Sequence, residues 1–346
     1  MAFELYDLAT LDAVFRNQKT PTPPFWLQMF NRQINFDTPE IMFDKVYGDD
    51  RGLAPFVVPT SQGRPQRLDG YETVSFRPAY VKINDVVDPT MFIERLPGEA
   101  PLGTLSLEQR RNAVVAELLR KQRVKFQNTN EWLAAQAITT GKVTIKGEDY
   151  PEVEVDFRRD PSLTAVATTA WGTAGADPLG DLRLLRMRAA TLSGARIKKH
   201  VFGAEAWDLL SQSVDLKELM NTNYGGTETK VTLMSDGYDG QEYMGRISGL
   251  NGAGMIDAWV DTSKYVDEDG NEQFYLDQKT VVGVSEQVQG VRCFGAIMDK
   301  RAGWRALDYF FKNYDNENPS VEYLLGQSSP LMVPKNPNAT FSLQVA

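Results

Sequence analysis

Apolar side chains at Leu107, Val114, Leu118, Phe126, Leu133 and Ala137 recur at spacings near 3.6 residues or its multiples, which predicts one helix over residues 106–140. No glycine or proline interrupts that span until Gly141, a left-handed stop, and Ser106 with Gln109 three residues on forms a capping box for the first amide donors. At 1.5 Å per residue such a rod reaches about 50 Å, more than the width of a modest domain. Between the apolar positions the pattern is charged: Glu108, Arg110, Arg111, Glu117, Arg120, Lys121, Arg123 and Lys125 crowd the first two thirds. So thin a stripe fits a rod lying along a flat, extended subunit. Packing onto an ordinary globular core is the alternative, and the segment alone leaves both open.

Upstream, Leu8, Leu11, Val14 and Phe15 make a short amphipathic segment that breaks at Pro21, Pro23 and Pro24. Phe25, Trp26, Leu27, Met29 and Phe30 then crowd six positions. Behind stiffening prolines this cluster reads as an arm docking on a neighbouring molecule, with closure of the chain's own core as the other reading. Residues 52–96 read as a two-stranded ribbon, outward over 53–59 and back over 72–83, with 61–70 as a polar tip. A ribbon with so few apolar partners must rest on its own body or on another chain.

Beyond the rod, residues 142–146 and 153–157 read as paired strands around Gly147. A helix rich in Leu, Met and Ala follows over 178–192, then a strand over 195–202 and a helix over 204–212. Residues 228–300 carry short strands, with Asp236-Gly237, Asp239-Gly240 and Asp269-Gly270 as turn signals. Residues 313–319 read as a breaker, and 320–346 return to strands. This order predicts an α+β subunit with no internal repeat.

Composition narrows the function. The 346 residues are 42% hydrophobic, enough for a substantial core and about two domains. There is no signal-peptide pattern at the start and no eighteen-residue apolar run, so neither secretion nor a membrane span is indicated. Cys293 is the single cysteine, which excludes an intramolecular disulfide, and its apolar surroundings suit burial in a reducing compartment. A formal charge of −9 argues against a basic face that grips nucleic acid.

Candidate chemistry is sparse. His200 is the only histidine, so a His-based metal site is unavailable and a triad would have to use this residue. Glu152, Glu154 and Asp156 alternate with Val153, Val155 and Phe157, placing three carboxylates on one strand face about 7 Å apart. That spacing could hold a cation or serve glycoside hydrolysis, but any half-buried strand shows the same alternation. Residues 249–254 are glycine-rich without the Lys-Ser/Thr ending of a P-loop. Residues 267–272 resemble a calcium loop but place Glu272 where the turn needs glycine, so a hairpin fits better. No catalytic set emerges, and neither a cofactor nor a metal is expected.

Several segments carry a family resemblance. They are Pro24-Phe25-Trp26-Leu27-Gln28-Met29-Phe30, Ala79-Tyr80-Val81-Lys82, Asp88-Pro89-Thr90-Met91 and Arg95-Leu96-Pro97-Gly98-Glu99 before the rod. After it come Gly141-Lys142-Val143-Thr144, Gly147-Glu148, Val153-Glu154-Val155-Asp156, Phe294-Gly295 with Asp299, Ser329-Pro330-Leu331-Met332 and the closing Phe341-Ser342-Leu343-Gln344-Val345-Ala346. In this order, from residue 24 to the end, the chain resembles the lambda-type major capsid proteins of tailed bacteriophages, the gpE family; residues 203–262 match poorly.

The resemblance implies an HK97-like phage capsid fold. Its parts would be an N-terminal arm (1–45), an extended β-hairpin loop or E-loop (46–95), a peripheral domain with the spine helix (96–176), an axial domain (177–312) and C-terminal strands returning to the peripheral domain (313–346). It also implies a non-enzymatic shell protein of the virion, assembled in the host cytoplasm as hexamers and pentamers around double-stranded DNA. Expected partners are further copies of the chain, a separate scaffolding protein, a decoration protein, a portal protein and, weakly, the packaged DNA. Candidate intersubunit contacts are Phe25, Trp26, Met29 and Phe30 of the arm, Arg64 and Arg67 of the tip, and Arg77, Lys82, Glu94 and Arg95 beside the ribbon.

Residues 46–81 contain no lysine, so an isopeptide weld through the tip is not expected, and the net negative charge predicts a neutral to acidic inner wall. Rival readings are an encapsulin-like nanocompartment shell and a carboxylate hydrolase using Glu152, Glu154 or Asp156. The shell reading expects the arm and the ribbon to find their apolar partners on other copies.

Overall fold

A computed structural model of the protein describes residues 6–18, 25–38, 40–47, 70–93, 105–147, 150–213, 240–247, 255–267, 269–317 and 320–346. The rod is a single helix, Leu107–Thr139, closed at its start by the reciprocal Ser106–Gln109 capping box. Gly141 follows at φ 72°, the left-handed geometry that only glycine adopts without strain. Arg159 completes that end: its guanidinium donates to the carbonyls of Ile138 (2.9 Å) and Thr139 (2.8 Å), which have no partner further along the helix.

Three sheets receive the rod. Its first half lies on a three-stranded antiparallel sheet in the order Phe310–Glu317, Ser320–Ser328, Val81–Val87. Val115, Leu119 and Phe126 pack there with Phe311 and Leu324. Its last turns run between a second three-stranded sheet, Arg32–Asn35, Val291–Phe294 and Pro330–Val333, and a six-stranded mixed sheet. The six strands run Thr164–Val166, Thr340–Gln344, Thr280–Val284, Lys199–Phe202, Ile256–Asp261, Gln241–Ile247. Ala134, Ala135 and Ala137 are fully buried there, and their small side chains let both sheets approach the helix axis. The opposite face of the six-stranded sheet is covered by helices Pro178–Ser193 and Ala204–Gln212, through Leu182, Leu185, Ala189, Ala206 and Leu210.

The helix Leu8–Asn17 lies on the rod and on strand Phe310–Glu317. Leu11 and Phe15 are its buried residues, with the Phe15 ring 4.2 Å from that of Phe311. The 3-10 turn Trp26–Met29 sits deeper, against the last part of the rod. Phe25, Trp26 and Phe30 have 1%, 0% and 0% exposure, so within the chain they close its own core, the second of the two readings of this cluster. Burial of such rings stabilises by about 1.5–3 kcal/mol each.

Three other expectations change. The ribbon pairs Ile41–Tyr47 with Gly70–Phe76, so it starts earlier than residue 46, and its return strand ends before Val81–Val87, which belongs to another sheet. The proposed outward strand 53–59 and the tip with Arg64 and Arg67 lie outside the described residues, as do Glu94 and Arg95, the glycine-rich loop 249–254 and the turn signals Asp236-Gly237 and Asp239. The breaker at 313–319 is instead strand for most of its length, because eight residues of Phe310–Glu317 pair with Ser320–Ser328. The strand expected over 195–202 is confined to Lys199–Phe202.

Residues 313–346 enter all three large sheets, and Thr340–Gln344 pairs with Thr280–Val284 and Thr164–Val166.

Candidate functional site

Where arm, rod and six-stranded sheet meet, polar groups are drawn into the core. Glu131 points from the rod at the start of the Trp26–Met29 turn. Its two carboxylate oxygens accept the N–H of Trp26 (2.6 Å) and of Leu27 (3.0 Å), as a capping residue would, but from a distant element. The Trp26 indole N–H donates to Asp261 (2.9 Å), which also accepts from Gln241 (3.1 Å) and from the Ser263 amide (3.0 Å). Lys199 lies 3.7 Å from the centre of the Phe25 ring and 5.1 Å from that of Trp259, so aromatic faces hold its ammonium. Burial pushes the Glu131 carboxyl up to about 7, against the pull of the amide donors, and burial pushes Lys199 down to about 8. This clasp ties three elements at one point.

The other sequence-derived candidates are scattered. Met29 is half-buried, and its carbonyl accepts the Gly290 amide (3.2 Å). Arg77 and Lys82 are exposed near the foot of the ribbon, with the Lys82 ammonium 5.2 Å from the Tyr80 ring centre. The structure therefore brings Phe25, Trp26, Met29 and Phe30 together inside the subunit and leaves Arg77 and Lys82 on its surface.

The two candidate reactive groups take structural roles. Glu152, Glu154 and Asp156 are exposed on one strand face, and Lys142 pairs with Glu154 (2.8 Å) and Asp156 (3.2 Å). His200 is fully buried beside Phe341, with Nδ1 3.0 Å from the Lys198 carbonyl, and burial pushes its pKa down to about 3. An imidazole so held stays neutral near pH 7.

Sequence reasoning missed Glu131, Asp261, Lys199, Arg159 and Arg111. The apolar stripe gave no signal for Glu131, which stands five residues past Phe126 and two before Leu133 and so falls off the face those two share. Arg111 is buried in the same way and donates to Glu322 (2.8 Å).

Relatives share this architecture over its whole length. Residues 7–345 match the family model described as phage major capsid protein E. The major capsid protein of Enterobacteria phage P21 is 28% identical over 342 residues, covering 96% of each chain. That of Escherichia phage lambda is 28% identical over 352 residues, covering 99% of each. Among solved structures, a putative capsid protein of a prophage of E. coli CFT073 superposes with a TM-score of 0.72 at 22% identity, covering 99% of this chain and 100% of that one. A phage-related protein from Bordetella bronchiseptica superposes with a TM-score of 0.52 at 11% identity, over 98% and 96% of the two chains. The chain belongs to the phage major capsid protein E family, as a structural protein of the virion capsid.

Proposed function

We propose that this capsid subunit assembles as hexamers and pentamers into a closed icosahedral shell around double-stranded DNA, and that the mature shell is held by noncovalent contacts. The observation that carries this reading is the family match across nearly the whole chain, arm helix and final strand included. A separate scaffolding protein guides assembly, a portal occupies one vertex, and a decoration protein reinforces the outer surface. The inner wall is neutral to acidic, in keeping with the net charge of −9, so that packed DNA is contained without being gripped.

The noncovalent character rests on the ribbon. Residues 46–81 hold no lysine, and the neighbouring Lys45 stands opposite Glu72 in the paired strands near the foot of the ribbon. Arginines at 64 and 67 cannot form an isopeptide bond; a guanidinium suits charge-assisted contacts with carboxylates instead. DNA-filled particles boiled in denaturant are expected to run as a single band at the monomer mass. A ladder of multiples would contradict the noncovalent shell, and particles without nuclease-protected DNA would contradict the container.

A further inference from the structure

Helix Pro178–Ser193 buries Leu182, Leu185 and Ala189 on the six-stranded sheet and turns a second apolar face to solvent. Leu184, Met187 and Leu192 are 49%, 58% and 40% exposed there. Around them stand exposed cations, Arg183 and Arg188 on the helix and Arg196 and Lys198 just after it. In a chain of net charge −9 this is a local concentration of the minority charge. A phosphate backbone would be served by the cations alone and would leave the leucines and the methionine wet. A protein partner that is acidic and partly apolar satisfies both.

The chain itself presents such a surface. Helix Ala204–Gln212 carries exposed Glu205 and Asp208, three residues apart on one face, with Trp207 and Leu209 half-buried beside them. Among the described residues Glu205 has one cation within 4 Å, Lys279 at 3.9 Å. We infer that the basic, apolar face of helix Pro178–Ser193 in one copy docks on the acidic face of helix Ala204–Gln212 in the next copy. The two faces differ, so the contact is head-to-tail, and its repetition generates a ring where the rotation closes. The inference rests on the shell reading and adds to it which faces form the seam. The basic patch then lies between copies, which agrees with an inner wall that does not bind DNA.

The test uses the full-length chain with its assembly partners and two charge-reversed variants, Arg183→Glu with Arg188→Glu, and Glu205→Lys with Asp208→Lys. All four positions are exposed, and retention of the wild-type near-ultraviolet circular dichroism checks that each variant folds. Each variant alone is expected to lose particles, read by sedimentation and electron microscopy. All four changes in one chain are expected to restore them, because every seam then pairs opposite charges again; co-expression of the two variants re-pairs every seam only in rings of even number, since a five-membered ring keeps one like-charged seam. Variants that each assemble like wild type, or a folded four-site variant that does not recover, would overturn the seam. Normal particles of the arginine variant with less packaged DNA would overturn it in favour of a nucleic-acid contact. Failure of the wild-type chain to form any shell would instead count against the function proposed above.

Discussion

Glu131 and Lys199 are charged groups held inside the fold, and their titration reports on the clasp directly. In the folded chain burial keeps the Glu131 proton up to about pH 7, against 4.5 for an ordinary glutamate. The folded state binds the extra proton between those values, so the stability this group contributes is complete below about 4.5 and lost as pH rises through about 7. Lys199 loses its proton at about 8 instead of 10.5, so its contribution is present above 10.5 and lost as pH falls through about 8. His200 opposes Glu131 in acid: with its pKa down at about 3, its contribution is present above 6.5 and lost as pH falls through about 3.

The opposing slopes of Glu131 and His200 lead to a prediction for Glu131→Gln. Between pH 4.5 and 6.5 the wild type should show little pH dependence from these two groups. The variant keeps only the His200 slope and should lose stability on acidification, by up to about 1.4 kcal/mol per pH unit. At pH 7.5 the same variant should cost about 1–3 kcal/mol, since an amide presents one acceptor to two buried N–H donors and leaves Asp261 as the remaining carboxylate acting on Lys199. Urea midpoints across the pH range measure both effects; parallel curves for wild type and variant would contradict the clasp. Residues of this kind were hard to read from the chain. Glu131 looks like one more charge on a polar helix until Trp26, more than a hundred positions away, is known to sit on it.

At the scale of elements, the rod's ends were legible because caps are local. Ser106, Gln109 and Gly141 act on neighbours within a few residues, and each stands where the pattern placed it. Ser106→Ala should therefore lower stability by about 1 kcal/mol. Gly141→Ala should cost more, because alanine is strained at φ 72° and its Cβ would come within 2.8 Å of the Arg159 side chain. Thermal melting of the two variants should show that order, and the reverse would place the weak end of the rod at its start. The rod's seating was less legible. Its buried stripe includes Arg111, Gln122, Asn130 and Glu131, each bonded to a distant group, so the apolar periodicity is diluted where the helix is most enclosed. Leu107, which matches the apolar pattern, is 44% exposed. The same reason hid the strand Phe310–Glu317: Asn313 looks like a turn residue yet is buried, donating to Glu322 (2.9 Å) on the partner strand.

For the whole molecule, the order of arm, ribbon, rod and α+β body was readable, and it carried the family resemblance. The pairing of distant strands was not, because periodicity says which face a strand buries but not which neighbour it takes. Thr340–Gln344 beside Thr164–Val166, and Val81–Val87 beside Ser320–Ser328, are connections of this kind. The aromatic cluster at 25–30 illustrates the same limit in reverse. Its bulk and spacing would suit a neighbour's pocket or the chain's own core equally, and the carboxylates of Glu131 and Asp261 decide for the core. Overlap between copies must then be carried by surfaces other than this cluster.

The central claim, that this subunit is built to tile a closed shell, is tested most directly by electron microscopy of the full-length chain co-expressed with its scaffolding protein. The account predicts closed icosahedral particles, resolved into hexamers and pentamers, with the Trp26 side chain inside each subunit and the inner wall free of an extended basic lining. A population that stays monomeric under those conditions, or a map with a continuous basic inner surface, would contradict it.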